Sequence, residues 1–305
     1  MPLPIRYIVL CVFLLIGSGG ALAIVAQKDV EPTNLEVQAD QSSKPRENVN
    51  PKRFIVYYGA EAKEEQFYPY DIIVFDRDKH PSLQKLRRKN KVLLGYISGG
   101  ELEQYRDNFE QLKTKFDILG TNETWKDHMI VDVRDPEWTR HLIEDIIPPI
   151  VKQGFNGIFI DTLDSVTHYE TIDPKRYKGM IQATATMIKT IHYHYPELKI
   201  MINRGFDVLP FIANDIHYVL AESTLVQYDF TNHTTKLMDD AIYQHYVQRM
   251  FDLKKQAPHL EMTTLDYWKM DDTAMVQELY RRHEANGFMP YVTTIELNRV
   301  DNRPQ

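Results

Sequence analysis

Two acidic residues, Asp161 and Glu222, each stand directly after a short apolar run in the sequence. The run before Asp161 is Ile-Phe-Ile at 158–160, which has no polar alternation and therefore predicts a strand buried on both faces of a parallel sheet. Glu222 follows a similar run that ends in Ala221. In a closed barrel of parallel strands the C-terminal strand ends carry the chemistry, so both carboxyl groups would lie on the functional rim.

A pair of carboxyl groups that face each other is what the hydrolysis of a glycosidic bond requires. One carboxylate stabilises or attacks the developing oxocarbenium carbon, and one carboxylic acid protonates the leaving oxygen. Burial or a neighbouring charge separates these roles by raising the pKa of one partner. Strand-end carboxylates also serve as structural groups bonded to backbone amides or to an arginine such as Arg204. The spacing alone leaves both interpretations open.

Other acidic residues lie near the same strand ends. Asp164, three positions after Asp161, is suited both to holding a sugar hydroxyl and to capping the following turn. Four more are individually typical of structural groups but together predict an acidic rim, and these are Asp76, Glu101, Asp132 and Asp266.

Tyrosines near these strand ends are candidates for contact with sugar rings. A tyrosine presents a flat apolar face with a polar tip, which suits stacking on a sugar. Because most aromatic residues of any chain belong to the core, only four are predicted to bind substrate, and these are Tyr58, Tyr96, Tyr267 and Tyr291.

The elements that must position these residues alternate between strands and helices, which predicts βαβ units and a parallel sheet. Eight strands are predicted, with a further short strand at 129–133: 54–58, 70–75, 92–97, 157–161, 199–202, 217–221, 261–265 and 289–293. Helices are predicted at 81–90, 136–152, 174–195, 240–256 and 273–286, and a loop at 231–239. The helix at 136–152 begins at Pro136 with Asp135 as its N-cap.

Eight such strands with polar ends favour a closed (β/α)8 TIM barrel, an α/β fold, over an open sheet. The chain of 305 residues is long enough for one barrel of about 250 residues as a single domain. The tail from Thr294 is too short for a full eighth helix, so the barrel is expected to close irregularly.

The N-terminal region predicts export. Arg6, an apolar run at 7–16 and the sequence Ala-Leu-Ala at 21–23 form a signal peptide over residues 1–23. The alternative is an uncleaved anchor, because residues 7–26 are just long enough to span a bilayer of about 30 Å. Residues 24–52 are polar and predict a disordered linker, which leaves 53–305 as the barrel domain. We expect a secreted or periplasmic protein that is membrane-tethered only if the signal stays uncleaved.

The composition excludes several classes of protein. The net charge of −7 disfavours nucleic acid as a partner and suits a neutral or cationic ligand. Cys11, the only cysteine, lies in the export segment, so the mature chain would have neither a disulfide nor a thiol nucleophile. The motifs G-x-S-x-G, G-x-x-x-x-G-K and H-E-x-x-H are absent, which excludes serine hydrolases, P-loop enzymes and zincins. His192 and His194 would point in different directions from one helix, so no metal site is expected there.

Several stretches, taken in chain order, resemble glycoside hydrolase family 114, the TIM-barrel group that includes endo-α-1,4-polygalactosaminidases. They are FIVYYG at 54–59, VLLGYISGGE at 92–101, VDVRDPEW at 131–138, GFNGIFIDTLD at 154–164, INRG at 202–205, LAE at 220–222, LDY at 265–267 and MPYV at 289–292. Each stretch alone is weak, but the ordered set is specific. Many members place a tryptophan after the glycine of the first strand, where this chain has Ala60 and Glu61, so one substrate-facing wall is expected to differ.

The resemblance implies that Asp161, on the fourth barrel strand, and Glu222, on the sixth, form the catalytic pair. By similarity, Asp161 would be the nucleophile or ion stabiliser and Glu222 the general acid/base. Asn203 and Arg204 lie in a matching stretch and join the predicted substrate-binding residues. The implied substrate is a polysaccharide of α-1,4-linked galactosamine or N-acetylgalactosamine, which is cationic where it is deacetylated and so agrees with an acidic rim. No metal or organic cofactor is expected.

Two alternatives from other classes stay open. One is a catalytically silent barrel that binds glycan through the same cleft, and the other is a metal-assisted hydrolase that uses the acidic rim. Retaining and inverting glycosidases differ in the separation of their carboxyl groups, about 5–5.5 Å against about 6.5–9.5 Å. Retention is the outcome we expect.

Overall fold

Residues 52–303 are described by a computed structural model of the chain. The predicted signal peptide, residues 1–23, and the predicted linker up to residue 51 lie outside the described residues. Among the helices of residues 52–303, none is both long and apolar enough to cross a membrane.

Eight parallel strands form a nearly closed barrel. The strands of residues 52–303 are β1 (Phe54–Tyr57), β2 (Ile72–Asp76), β3 (Val92–Ser98), β4 (Glu101–Glu103), β5 (Ile118–Thr121), β6 (His128–Val131), β7 (Gly157–Asp161), β8 (Lys199–Asn203), β9 (Tyr218–Glu222), β10 (Val226–Asp229), β11 (Thr234–Leu237), β12 (Glu261–Tyr267) and β13 (Met289–Thr293). The barrel strands pair in the order β1-β2-β3-β7-β8-β9-β12-β13. The predicted (β/α)8 TIM barrel is therefore confirmed.

Helices connect the barrel strands and cover their outer faces, which is why the strands read as apolar runs without alternation. In the described part of the chain they are α1 (Gln84–Arg88), α2 (Phe109–Lys115), α3 (Pro136–His141), α4 (Ile147–Gln153), α5 (Leu163–Ile172), α6 (Met180–His194), α7 (Leu209–Ile212), α8 (Asp240–Gln256) and α9 (Thr273–Ala285). A 3₁₀ turn, Glu64–Phe67, precedes β2, and a π-helical segment, Leu142–Ile146, joins α3 to α4. The predicted N-cap is confirmed, because the Asp135 carboxylate accepts a hydrogen bond from the Glu137 amide.

The region after β7 differs from the prediction. Helix α5 begins at Leu163, directly after the strand, and the helix predicted at 174–195 begins only at Met180. Gly179, just before α6, has a φ of 92°, a left-handed conformation that separates the two helices. Leu163 and Val166 are fully buried against the glycines of the loop after β3, and this tertiary packing specifies a helix that the sequence period does not reveal.

Two small antiparallel sheets are inserted after barrel strands. After β3, strands β4, β5 and β6 pair in the order β4-β6-β5, and β6 is the short strand predicted at 129–133. After β9, strands β10 and β11 form a hairpin, so the prediction of a loop throughout 231–239 is wrong. The rings of Trp125 and Phe230 lie 4.7 Å apart and join the two insertions.

The barrel closes irregularly between β13 and β1, as the short tail predicts. The amide of Tyr58 donates to the carbonyl oxygen of Leu297 at 2.6 Å, and the hydroxyl of Tyr70 donates to the carbonyl oxygen of Asp301 at 2.9 Å. The hydroxyl of Thr293 donates to the Asp301 carboxylate at 2.7 Å. Residues 294–301 therefore supply hydrogen bonds that join the last strand of the barrel to the first.

Gly157, the first residue of β7, has no room for a side chain. A Cβ there would lie 2.3 Å from Leu94 Cδ2 and 2.4 Å from the carbonyl oxygen of Lys199. We expect Gly157→Ala to lower the free energy of unfolding by about 2 kcal/mol, because the backbone of β8 would have to move. Urea denaturation of the two proteins measures this loss.

Gly120→Ala in β5 is the matched control for this substitution. Its Cβ would meet chiefly the hydroxyl end of the Tyr169 side chain, at 2.6 Å, and that side chain can rotate away. A loss at Gly120 as large as the loss at Gly157 would contradict the argument.

Candidate active site

Three successive barrel strands end in the side chains that form the centre of the site. Asp161 ends β7, Asn203 ends β8 and Glu222 ends β9, and all three are buried. The side-chain amide nitrogen of Asn203, Nδ2, donates to Asp161 Oδ1 at 2.9 Å and to Glu222 Oε2 at 3.1 Å. The two carboxyl groups predicted from the sequence are therefore held together by one neighbouring side chain.

Two tyrosines complete this centre. The hydroxyl of Tyr267 donates to Glu222 Oε1 at 2.5 Å. The hydroxyl of Tyr58 is buried and has no hydrogen-bond partner among residues 52–303, and the same is true of the side-chain oxygen of Asn203. Burial, followed by the charges of Asp161 and Glu222, raises the pKa of Tyr58 well above its usual value. Both atoms are therefore buried polar groups whose hydrogen bonds a bound ligand would complete.

The ring of Tyr96 forms one wall next to this centre. It packs edge-on against Tyr58, with ring centroids 5.5 Å apart, and it also contacts the ring of Phe159 in β7 and the guanidinium of Arg106. Burial raises the pKa of Tyr96 well above its usual value, with the charges of Glu103 and Asp161 adding to the effect. The Tyr96 hydroxyl therefore stays protonated in the physiological range.

The two carboxyl groups hold protons more tightly than free side chains do. Burial raises the pKa of Asp161 to about 7, against the opposing effect of the Asn203 hydrogen bond. Burial raises the pKa of Glu222 well above its usual value, and the charge of Asp161 raises it further. Because the pair is coupled, loss of the first proton makes loss of the second harder. The pair therefore keeps a proton at pH values at which free carboxyl groups have lost theirs.

The remaining acidic side chains near the pair are matched by basic partners. Asp76, at the end of β2, accepts from Arg106 at 2.7 Å. Glu101 accepts from His128 at 2.8 Å and from the amide of Asn122 at 2.9 Å. The predicted acidic rim is therefore largely neutralised at these two positions.

Arg106 also binds Glu103. Neither residue is among the site residues predicted from the sequence. Arg106 Nε donates to Glu103 Oε2 at 2.8 Å. Burial alone would raise the pKa of Glu103, but the charges of Arg106 and Arg77 lower it to about 2. Arg106, Glu103 and His128 lie between β3 and β7 in sequence, in a polar region where no period indicated which side chains face the barrel.

Three predicted site residues lie apart from the pair. Asp132 binds Arg134 at 2.5 Å in the loop before α3. Asp266 accepts from the amides of Leu225 and Val226 and from His283, on the face of β12 opposite to Tyr267. Tyr291 packs on Phe54 and Tyr70 and donates to the carbonyl oxygen of Arg299, so its partners belong to the barrel closure.

Asp164 and Arg204 bind each other beside the centre. Arg204 Nε donates to Asp164 Oδ2 at 2.8 Å, and the amide of Gly205 donates to Asp164 Oδ1 at 2.8 Å. Asp164 lies in the first turn of α5, so its carboxylate ties that helix to the loop after β8.

Thr162 is a further residue that the sequence did not single out. Its hydroxyl donates to the carbonyl oxygen of Asp161 at 2.7 Å and accepts from the amide of Gly100 at 3.0 Å. It lies 2.8 Å from the hydroxyl of Ser98. These bonds connect the ends of β3 and β7. The only signal in the sequence is its position next to Asp161.

No group of three or more His, Cys, Asp or Glu side chains within residues 52–303 is arranged to hold a metal ion. The mouth of the barrel offers instead two buried carboxyl groups, an amide and tyrosine hydroxyls. A parallel barrel with such a carboxyl pair at its C-terminal rim is the arrangement of a glycoside hydrolase.

The chain belongs to glycoside-hydrolase family GH114, whose model matches residues 33–305. One curated relative, an uncharacterized protein of Methanocaldococcus jannaschii, is 27% identical over 182 residues, which are 53% of this chain and 52% of the relative. The chain thus spans about half the length of that relative.

Solved structures share the fold. The glycoside hydrolase domain of PelA from Pseudomonas aeruginosa superimposes with a TM-score of 0.73 at 22% identity, over 83% of this chain and 98% of that chain. Ega3 from Aspergillus fumigatus, in complex with galactosamine, superimposes with a TM-score of 0.56 at 12% identity, over 81% of this chain and 91% of that chain.

The carboxyl pair is expected to reduce stability at high pH. A carboxyl group whose pKa is higher in the folded chain binds its proton more tightly there. The stability that this contributes is fully present below the unfolded pKa, about 3.9, and is lost as the pH rises through the folded value. For Asp161 that folded value is about 7.

We therefore expect Asp161→Asn to be more stable than the wild type by about 4 kcal/mol at pH 8, with the difference disappearing towards pH 4. Urea denaturation across this pH range measures the difference. Asp271→Asn, at an exposed position, should track the wild type at every pH. A stability difference for Asp161→Asn that is independent of pH would contradict the assignment.

Proposed function

We propose that the protein hydrolyses polysaccharides that contain α-1,4-linked galactosamine or N-acetylgalactosamine. The observation that carries the proposal is the amide of Asn203, which holds the carboxyl groups of Asp161 and Glu222 together in a chain of a glycoside-hydrolase family. The choice of sugar is supported by the likeness to Ega3, whose structure contains galactosamine.

In the proposed first step, Asp161 is the nucleophile and Glu222 is the general acid. The shifts of the two pKa values support these roles, because burial raises both and the charge of Asp161 further favours the protonated form of Glu222. A carboxylate oxygen of Asp161 forms a bond to the anomeric carbon while the glycosidic C–O bond breaks. The leaving oxygen takes the proton of Glu222.

In the proposed second step, Glu222 acts as the general base. It removes a proton from a water molecule, whose oxygen forms a bond to the anomeric carbon and releases Asp161 as a carboxylate. Neither step requires a metal or an organic cofactor. The predicted export segment, residues 1–23, would bring the enzyme to a polymer outside the cytoplasm.

The distances support a retaining mechanism. Because Asp161 Oδ1 and Glu222 Oε2 both bond to the nitrogen of Asn203, these oxygens lie at most about 6 Å apart. Retaining glycosidases hold their carboxyl groups about 5–5.5 Å apart, and inverting ones about 6.5–9.5 Å apart, to leave room for a water molecule. We therefore propose that the product keeps the anomeric configuration of the substrate.

The proposed substrate contacts are the groups next to the carboxyl pair. The hydroxyl of Tyr58 and the side-chain oxygen of Asn203, both without a partner in the described part of the chain, suit the hydroxyl or ammonium groups of a sugar. Tyr96 and Tyr267 supply aromatic walls. Asp76 and Glu101 contribute charge rather than free donors or acceptors, because both are already paired.

Substitution of the pair tests the proposal. We expect purified Asp161→Asn and Glu222→Gln each to lose at least about 1,000-fold of the wild-type cleavage rate, because each removes a group that forms or protonates a bond. The measurement is the release of reducing ends from a panel of galactosamine, N-acetylgalactosamine and galactose polymers. NMR of the first product gives its anomeric configuration.

Asp271→Asn serves as the control and should cleave at the wild-type rate. If Asp161→Asn and Glu222→Gln both cleave the polymer at the wild-type rate, the assignment of the catalytic pair is wrong. A wild type that retains the polymer but releases no reducing ends would be the silent glycan-binding barrel, and activity lost in a chelator would indicate a metal-assisted hydrolase.

The pH dependence of kcat/KM tests the assigned roles. Activity needs an ionised Asp161, so kcat/KM should fall as the pH decreases below about 7. Activity also needs a protonated Glu222, so a second fall is expected at higher pH. A profile that is flat between pH 5 and pH 7, measured at substrate concentrations well below KM, would contradict the assignment of Asp161 as the nucleophile.

A further inference from the structure

The three strands that carry the centre of the site share an unusual backbone feature. In each, the residue after the functional side chain has a positive φ although it is not glycine. The values are 65° at Thr162, 51° at Arg204 and 52° at Ser223. This left-handed conformation costs free energy for residues with a Cβ, and such costs are typical of functional sites. Each of the three backbones is therefore held in place by specific contacts.

Arg204 contacts three other elements, which are α5, β9 and α8. Its Nε donates to Asp164, its Nη1 donates to the carbonyl oxygen of Glu222 at 3.1 Å, and its Nη2 donates to the hydroxyl of Tyr246 at 2.9 Å. The side chain is 8% exposed. Each of the three nitrogens donates to a protein group, so the guanidinium holds β9 and α5.

We propose that Arg204 is a positioning residue that fixes the Glu222 carboxyl group by holding the backbone at the end of β9. The proposal rests on the function proposed above and replaces the predicted role of Arg204 in binding substrate. The left-handed backbone of Arg204 and Gly205 turns the chain after Asn203, and the guanidinium returns to the carbonyl of the neighbouring strand. Asp164 holds both the guanidinium and the Gly205 amide, so it locks this turn.

Arginine suits this role for a geometric reason. The planar guanidinium group presents its N–H donors in fixed directions. Here they reach the carboxylate of Asp164, the backbone carbonyl of Glu222 and the hydroxyl of Tyr246 at once. A lysine carries the same charge on a single nitrogen and cannot span all three partners. Small displacements of a catalytic group cost about 100-fold in rate, so the loss of one anchor should be visible in kcat.

The charge of Arg204 also acts on the Glu222 carboxyl group. The titratable or charged groups that face Glu222 are Asp161, Tyr58, Tyr267 and Arg204. Burial and Asp161 raise the pKa of Glu222, and Arg204 partly opposes this rise. Removal of the positive charge should therefore move the loss of the Glu222 proton to higher pH, whereas a purely structural side chain would not.

The test compares Arg204→Gln and Arg204→Lys with the wild type on the cleaved polymer. We expect Arg204→Gln to lower kcat about 100-fold with KM within about threefold, and to move the alkaline limb of the pH profile upwards. Arg204→Lys should lower kcat about 10-fold and leave the alkaline limb in place, because the charge stays. Asp164→Asn combined with Arg204→Gln should lose no more than Arg204→Gln alone, because the two act as one unit.

Arg249→Gln is the matched control. Arg249 also pairs with an aspartate, Asp207, but at the surface, so its substitution should leave kcat and the pH profile unchanged. Thermal unfolding establishes that each variant is folded. If Arg204→Gln does not fold, Arg204→Lys decides alone, and a kcat within twofold of the wild type overturns the proposal. A higher KM with unchanged kcat would also overturn it, because Arg204 would then bind substrate.

A titration without substrate separates this proposal from the function on which it rests. NMR of protein labelled with carboxyl-¹³C glutamate follows the Glu222 carboxyl group directly, and in Arg204→Gln it should lose its proton at higher pH than in the wild type. An unchanged titration overturns the proposed role of Arg204. If the wild type cleaves none of the polymers, the proposed function fails, and the titration still decides whether Arg204 acts on Glu222.

Discussion

Two buried carboxyl groups repel each other when both are ionised, and the site depends on how that repulsion is offset. The amide of Asn203 donates one hydrogen bond to each, and Tyr267 donates another to Glu222. When one of the two carboxyl groups is protonated, the remaining repulsion between their negative charges disappears. This arrangement makes the two side chains chemically different although both are carboxyl groups, which is the condition for dividing acid and nucleophile roles.

The surroundings confine the excess charge to that pair. Arg106 pairs with both Asp76 and Glu103, Arg77 lies 3.9 Å from Glu103 as a second positive charge, and His128 is paired with Glu101. Burial opposes a charge on His128, but its hydrogen bond to Glu101 raises its pKa above the usual value. The unbalanced acidic charge of the barrel mouth is therefore centred on Asp161 and Glu222.

The parts of the site that follow from local sequence patterns could be predicted, and those that follow from long-range contacts could not. Buried strands show up as apolar runs, so the strand ends at Asp161 and Glu222 were visible in the sequence. The same lack of alternation hides which face a residue occupies, so Tyr267 and its neighbour Asp266 looked equivalent although they face opposite sides of β12. Arg106 and His128 lie in a polar region without a period, and only the fold brings them to the site.

The irregular closure of the barrel has a consequence for how the protein folds as it is made. The bond between Tyr70 and Asp301 joins residues that are 231 positions apart in the sequence. The ribosome produces β1 first, so its outer edge stays uncovered until residues 294–301 have emerged. The strands that carry Asp161, Asn203 and Glu222 precede that segment in the chain, whereas the amide of Tyr58 binds Leu297 within it. An unpaired strand edge is a template for pairing with another chain, so residues 294–301 also protect the barrel from association.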